Sequence, residues 1–260
     1  SNTLISQEQH PIINLRITPL RNNTATSKAT LEPMLQRYIA YRLKHSDLPT
    51  AAILKHLHLN LDRTFYQAAE TIENPQARNI NVLVNKFYRL KSNFTPDKLV
   101  DIDKRYTRSG WKYQLQEEAN NQFAAMRSAA SKSGLKLIVV SAYRSYQTQN
   151  ELYAAYTKAY GQERADRFSA RAGYSEHQTG LAIDINSTSG TFAQSKEFTW
   201  LKDNAHQFGY ILRYPKGKSH ITGFMYEPWH WRYVGTEAAE AIHTHNLTYE
   251  EYLVSKRDPF

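Results

Sequence analysis

Four side chains in two short segments are of the types that hold and use a metal ion. Ser175-Glu-His-Gln-Thr-Gly-Leu-Ala-Ile-Asp184 contributes His177 and Asp184, and Glu227-Pro-Trp-His230 contributes Glu227 and His230. A catalytic zinc takes three imidazole or carboxylate ligands and keeps a further position open for water or substrate. His177, Asp184 and His230 can be those three, which leaves Glu227 free as a general base. Such a set supports hydrolysis: the ion acidifies water and polarises a carbonyl, while a neighbouring carboxylate carries the water's proton to the departing amine.

The local pattern says how these groups are presented. In Leu181-Ala-Ile-Asp-Ile185 the large apolar residues alternate with Ala182 and Asp184, so a strand here turns Leu181, Ile183 and Ile185 to a core and Asp184 to the opposite face. Gly180 gives the backbone freedom to fold His177 back over that face. In His230-Trp-Arg-Tyr-Val234 the same period sets His230 with Arg232, and Trp229, Trp231 and Tyr233 opposite them. Pro228 keeps Glu227 out of helical geometry, so Glu227 and His230 are expected at a loop-to-strand corner. A third segment, Ser141-Ala-Tyr-Arg-Ser-Tyr-Gln-Thr-Gln149, follows the apolar run Leu135–Val140 and precedes a helical stretch closed by Gly161. Arg144 thus sits at a strand end, where loops carry chemistry. Taken alone, it reads equally well as one half of a surface ion pair. The remaining histidines, His220 in its Gly-Lys-Ser-His loop included, lack such company and read as ordinary polar groups.

Taken in order, Ser-x-Tyr-Arg-Ser-x-x-x-Gln, Ser-x-His-x-x-Gly-x-Ala-x-Asp and Glu-Pro-Trp-His-x-Arg-Tyr-Val-Gly resemble the VanY-type D-alanyl-D-alanine carboxypeptidases and their L,D-carboxypeptidase relatives, bacterial zinc peptidases of peptidoglycan stem peptides. The resemblance covers roughly residues 82–254, beginning with Val82-Leu-Val-Asn-Lys86 and Phe94-Thr-Pro-Asp-Lys98. It implies that His177, Asp184 and His230 ligate one Zn2+ and that Glu227 is the base. It further implies that Arg144 stabilises the oxyanion or binds substrate, with Gln149 and Ser175 as substrate contacts. Among the many tyrosines, Tyr143, Tyr146, Tyr174, Tyr214, Tyr226 and Tyr233 lie within or beside the motifs, and Tyr143 is taken as a further substrate contact. The implied activity is a D,D-carboxypeptidase acting on stems ending in D-Ala-D-Ala. The alternative is an L,D-carboxypeptidase releasing D-Ala from tetrapeptide stems, since zinc chemistry does not read the stereocentre. A D-Ala-D-Ala dipeptidase and a non-catalytic wall-binding module are lesser readings; the second predicts a missing ligand or base, and none is missing.

Composition agrees with an exported enzyme. The chain has 260 residues, no cysteine and a formal charge of +9, which excludes a disulfide framework and favours polyanionic surroundings. Anionic cell-wall polymers are the expected partner. Lys and Arg are spread along the chain rather than gathered in a stripe, which argues against nucleic acid. No segment is apolar for long enough to span a membrane. Ser1-Asn2 reads as a cloning remnant, so an export or anchor segment is expected to have preceded it, and the place of action is outside the cytoplasm, at the cell wall or anchored to the outer membrane face.

Residues 1–30, rich in Asn, Thr and Ser, are expected to be a mobile lead-in. Helical periodicity then marks an N-terminal subdomain over 31–80, with helices from Leu31 and over Ala51–Leu57; packing decoration and a wall-binding or gating role are its two readings. Over 81–260 the pattern predicts a helix from Lys112 to Ser133, strands at 136–142, 181–186, 210–214 and 229–234, and helices at about 147–160, 197–208 and 236–245. A last helix opens with a capping box, Thr248 to Glu251. The expected fold class is α+β: a small, mainly antiparallel sheet with helices on one face and the zinc site on the other.

Overall fold

The computed structural model describes residues 24–256, so the lead-in expected over 1–30 lies outside the described residues as far as residue 23. The chain divides into two units, 1–48 and 49–260. The first contains α1 (Thr24–Lys44). The second contains α2 (Thr50–His58), β1 (Glu70–Ile72), α3 (Asn74–Ala77), β2 (Tyr88–Leu90), β3 (Leu99–Asp101), β4 (Gln114–Gln116), α4 (Glu117–Lys132), β5 (Val139–Ser141), α5 (Tyr146–Tyr160) and α6 (Gln162–Phe168). It continues with β6 (Ala182–Ile185), α7 (Lys196–Asn204), β7 (Tyr210–Leu212), α8 (Ser219–Thr222), β8 (His230–Tyr233), α9 (Thr236–His245) and α10 (Tyr249–Ser255). Among the described residues no helix is long and apolar enough to cross a membrane.

The central sheet is antiparallel throughout, in the order β5-β6-β8-β7. Two small pairs flank it: β1 with β2, parallel, and β3 with β4, antiparallel. Period-two alternation sorts the strand residues as expected. Leu181, Ile183, Ile185, Trp231 and Tyr233 enter one buried cluster with Ala119, Phe123, Met126 and Ala130 of α4. Burying side chains of this size is worth roughly 1.5–3 kcal/mol each, enough to fix which face of the sheet looks inward.

Two expected helix starts are wrong. The helix expected from Leu31 begins at Thr24, so residues 24–30, expected as lead-in, are helical. The helix predicted from Lys112 begins at Glu117, because Gln114–Gln116 pair with Leu99–Asp101 as a strand. Leu115, which falls within that expected helix, is buried as a strand residue. Glu117 and Glu118 then occupy the first helical turn, where carboxylates complement the amino-terminal dipole.

Opposite the core, the sheet face is also covered. Arg232 of β8 donates through Nη2 to the carbonyls of Ile80 and Val82, at 2.8 and 2.9 Å. All four residues of β6 and of β8 are buried.

Candidate active site

The site is assembled on paired strands. Asp184 of β6 stands opposite His230 of β8 and, on its other side, opposite Ser141 of β5. Directly opposed side chains lie about 4.5–5.5 Å apart at Cβ, which makes this row a floor of adjacent polar groups. His177 comes from a 3-10 turn, Glu176–Thr179, that ends at Gly180 in a left-handed conformation (φ +67°). A Cβ at Gly180 would lie 2.9 Å from Leu99 Cδ2, so the position demands glycine on two counts. Gln116 ties the turn down, its amide N–H donating to the Gly180 carbonyl and its side chain to that of Thr179.

The donor atoms converge. One ligand atom each from His177, Asp184 and His230 lie within 4.8 Å of one another, and among the described residues this is the only such grouping. His177 Nε2 is 3.4 Å from Asp184 Oδ2, and His230 Nδ1 is 3.2 Å from Asp184 Oδ1. Each imidazole is held from behind, His177 through Nδ1 by the Ala142 carbonyl at 2.7 Å and His230 through Nε2 by Glu176 at 3.4 Å. Asp184 Oδ1 is buried with no hydrogen-bond partner among the described residues. Such an orphan costs about 1–3 kcal/mol unless a cation or donor meets it. Two imidazoles, one carboxylate and an unmet oxygen fit a tetrahedral zinc site with one position open.

The Glu227 carboxylate stands 3.8 Å from His230 Nδ1, at the corner that Pro228 was expected to make. Arg144 donates to Gln149 Oε1 at 2.6 Å and to Ser141 Oγ at 2.9 Å. Gln149 also donates to the Ala170 carbonyl, so both ends of its amide are engaged in holding Arg144 in place. Ser175 caps the 3-10 turn, its hydroxyl accepting from the His177 amide. All of these residues line one cleft of about 1070 Å³ that runs outward past Tyr156, Tyr160 and Arg164. Tyr143 is not on its wall: its amide donates to the Gln114 carbonyl, which draws that part of the chain toward β4. Of the tyrosines singled out from sequence, only Tyr214 lines the cleft.

Burial sets the charge states. It raises the Glu227 carboxyl to about 8, with His230 and Arg144 opposing the rise and Asp184 adding to it. Burial lowers the affinity of His177 for a second proton. It acts the same way on His230, yet the neighbouring carboxylates of Asp184 and Glu176 outweigh it and lift that imidazole to about 9. Burial also pushes Asp184 up, but the two imidazoles hold it well below the ordinary carboxylate range. A carboxylate poised near neutrality is suited to moving protons, and a nearby cation favours its charged form.

Sequence reasoning missed the support behind His230. Glu176 Oε1 accepts from Arg213 Nε at 2.7 Å and from Arg232 Nη1 at 2.8 Å. Arg213 in turn forks onto Glu250 of α10, at 2.7 and 2.9 Å. The available signal was a pair of arginines inside otherwise apolar strand segments, Tyr210-Ile-Leu-Arg-Tyr214 and His230-Trp-Arg-Tyr233. A buried guanidinium requires a carboxylate partner, and Glu176 was present within the motif.

The family model VanY, D-alanyl-D-alanine carboxypeptidase, matches residues 112–236. YodJ of Bacillus subtilis (strain 168), named as a carboxypeptidase, is 43% identical over 191 residues, spanning 70% of this chain and 69% of its own. The solved LdcB LD-carboxypeptidase, whose structure concerns peptidoglycan recognition, is 40% identical with a TM-score of 0.66, over 72% of this chain and 90% of its own. The vancomycin-resistance D,D-pentapeptidase VanY of a VanB-type cassette, solved as a variant with Zn(II), is 34% identical with a TM-score of 0.56, over 66% and 98%. With the motif residues gathered at one cleft and relatives of this kind over most of their own length, the chain belongs to the VanY family of D-alanyl-D-alanine carboxypeptidases.

Proposed function

We propose that this protein is a zinc carboxypeptidase that removes the C-terminal D-alanine from peptidoglycan stem peptides outside the cytoplasm. The observation that carries the reading is the convergence of His177, Asp184 and His230 at the floor of an open cleft, with Glu227 beside them. His177, Asp184 and His230 would hold a zinc ion, which when bound would acidify water and polarise the scissile carbonyl. Glu227 takes the proton of the attacking water and returns it to the amine of the departing D-alanine. Arg144, braced by Gln149 and Ser141, offers a fixed cation to the oxyanion or to the terminal carboxylate. Gln149 therefore acts through Arg144, while Ser175 and Tyr214 face the substrate. The size of the cleft, about 1070 Å³, supports a stem peptide as substrate over a free dipeptide. The net charge of +9 supports retention on anionic wall polymers, read as salt-dependent binding to purified wall.

The D,D bond is the first reading, from the family's description. The L,D bond is a second, favoured by the greater likeness to the LD-carboxypeptidase LdcB than to the D,D-pentapeptidase. Mass spectrometry of products from a pentapeptide and, separately, a tetrapeptide stem decides between them. Alanine lost from the pentapeptide alone means D,D; from the tetrapeptide alone, L,D. Cleavage that survives chelation, or no cleavage of either peptide, overturns the proposal.

A further inference from the structure

An imidazole can present only one lone pair to a metal while its other nitrogen carries the proton, so something must decide which nitrogen faces the ion. At His230 the ring directs Nδ1 toward Asp184 and Nε2 toward Glu176 Oε2. The two oxygens of Glu176 are not equivalent. Oε1 receives Arg213 and Arg232, leaving Oε2 to accept from the imidazole. Neither guanidinium is free to turn. Arg213 is forked onto both oxygens of Glu250, and Arg232 also donates to the carbonyls of Ile80, Val82 and Tyr233. The side chains of Glu176, Arg213 and Arg232 are wholly buried, so water cannot substitute for any partner.

We propose that Glu176 is a positioning residue that sets the tautomer of His230, keeping the proton on Nε2 and the lone pair of Nδ1 on the metal, and that the arginine pair fixes which end of Glu176 performs this task. The inference rests on the zinc reading of the site and extends it to residues beyond the ligands and the base.

The isosteric variant Glu176→Gln tests it sharply. Arg213 and Arg232 only donate, so they hold the amide oxygen at the Oε1 position. The NH2 group is thereby forced to face His230 Nε2. A donor there makes Nε2 the acceptor and moves the proton to Nδ1, where it blocks the metal. Glu250→Gln removes the same charge from the same buried network without touching His230, and serves as the matched control. Zinc affinity is measured by competition with a chromophoric chelator, with folding of each variant followed by thermal melting. The expected result is a loss of about 10- to 100-fold for Glu176→Gln, the range for such supporting partners, and a loss several-fold smaller for Glu250→Gln. Equal losses in the two variants, or undiminished binding by Glu176→Gln, overturn the proposal.

Should Glu176→Gln not fold, the wild-type protein supplies an independent test. Long-range 1H–15N correlation on the zinc-loaded, 15N-histidine-labelled protein is expected to find the His230 proton on Nε2 and the metal on Nδ1. The reverse assignment overturns the proposal while leaving the zinc reading intact. Failure of the wild-type protein to bind zinc overturns both.

Discussion

The His177 and His230 rings stand nearly perpendicular, 5.0 Å apart, in one cluster of donor atoms, and they are held there by different means. Behind His177 stands the carbonyl of Ala142. The stitch is reciprocal, since the Arg144 amide donates to the His177 carbonyl at 3.1 Å. Behind His230 stands a side chain, Glu176, inside a buried quartet with Arg213, Arg232 and Glu250. One histidine is oriented by the path of the backbone, the other by charges. The two mechanisms fail differently: a backbone acceptor survives any side-chain substitution that leaves the loop in place, whereas a charge network fails when one member is removed.

The largest effects erase the contrast altogether. His177→Ala is expected to lose both zinc and activity, while Glu227→Ala keeps zinc and loses roughly 10²- to 10⁴-fold in kcat. Metal content and turnover, measured on the same samples, check this; near-normal turnover in Glu227→Ala would remove Glu227 as the base. Next is Arg213→Met, which leaves Glu176 and Glu250 buried with too little positive charge. A cost of about 3–5 kcal/mol is expected in urea unfolding. By comparison, Arg78→Ala, which breaks the exposed pair with Asp97, should cost at most about 1 kcal/mol. Comparable losses for the two would deny the buried network its special standing.

The backbone side has its own weak point. Gly180→Ala places a side chain in the left-handed region against Leu99, and is expected to destabilise by about 1–2 kcal/mol from the backbone alone, with zinc binding weakened through His177. Ala142→Gly, by contrast, keeps the carbonyl and should leave zinc affinity within a few-fold of wild type. A large loss there would mean that the methyl group, not the main chain, orients His177.

The smallest effect concerns the delivery of Glu250. Helix α10 opens with the expected capping box: the Thr248 hydroxyl accepts from the Glu251 amide at 3.1 Å, and Glu251 accepts from the Thr248 amide at 2.9 Å. Burial pushes the Glu251 carboxyl up, but the Thr248 amide and Lys218 hold it below its ordinary value. The folded state therefore binds this proton less tightly than the unfolded one. The resulting stability is present above the unfolded value of about 4.3 and is lost as pH falls toward the lower folded value. Thr248→Ala, which loses only the hydroxyl cap, is expected to cost about 1 kcal/mol at pH 7; Glu251→Gln removes the titrating carboxylate, so its deficit narrows in acid, and urea midpoints at pH 7 and pH 4 test the sign.

The sequence was most legible where one physical rule acted alone. Alternation in β6 and β8 assigned Asp184 and His230 to the face away from the core, and Gly180 marked the turn that returns His177. It misled where two rules overlapped. Leu115 continues the apolar spacing of Ala119 and Phe123, so a helical period absorbed a residue that pairing with β3 makes a strand. The cleft tyrosines were misjudged for a related reason. Tyr143 lies in the motif yet off the wall, while Tyr156 and Tyr160 reach the wall from α5, which carries no motif there. The ion quartet joins residues from the 3-10 turn, the bend just after β7, β8 and α10, and no local pattern announces such a meeting. Only the presence of arginines in apolar strands hinted that buried carboxylates had to be found.

The row Ser141–Asp184–His230 across β5, β6 and β8 has a consequence for how this chain tolerates insertions and deletions. Side chains alternate along each strand, so adding or removing one residue within β6 or β8 does not displace Asp184 or His230 by a step; it sends that side chain into the apolar core. A two-residue change restores the face and alters only the position along the strand. The proposed zinc site therefore imposes a parity on the lengths of these strands, odd changes being lethal to the site and even ones repairable, a constraint stricter than anything the hydrophobic core alone would demand.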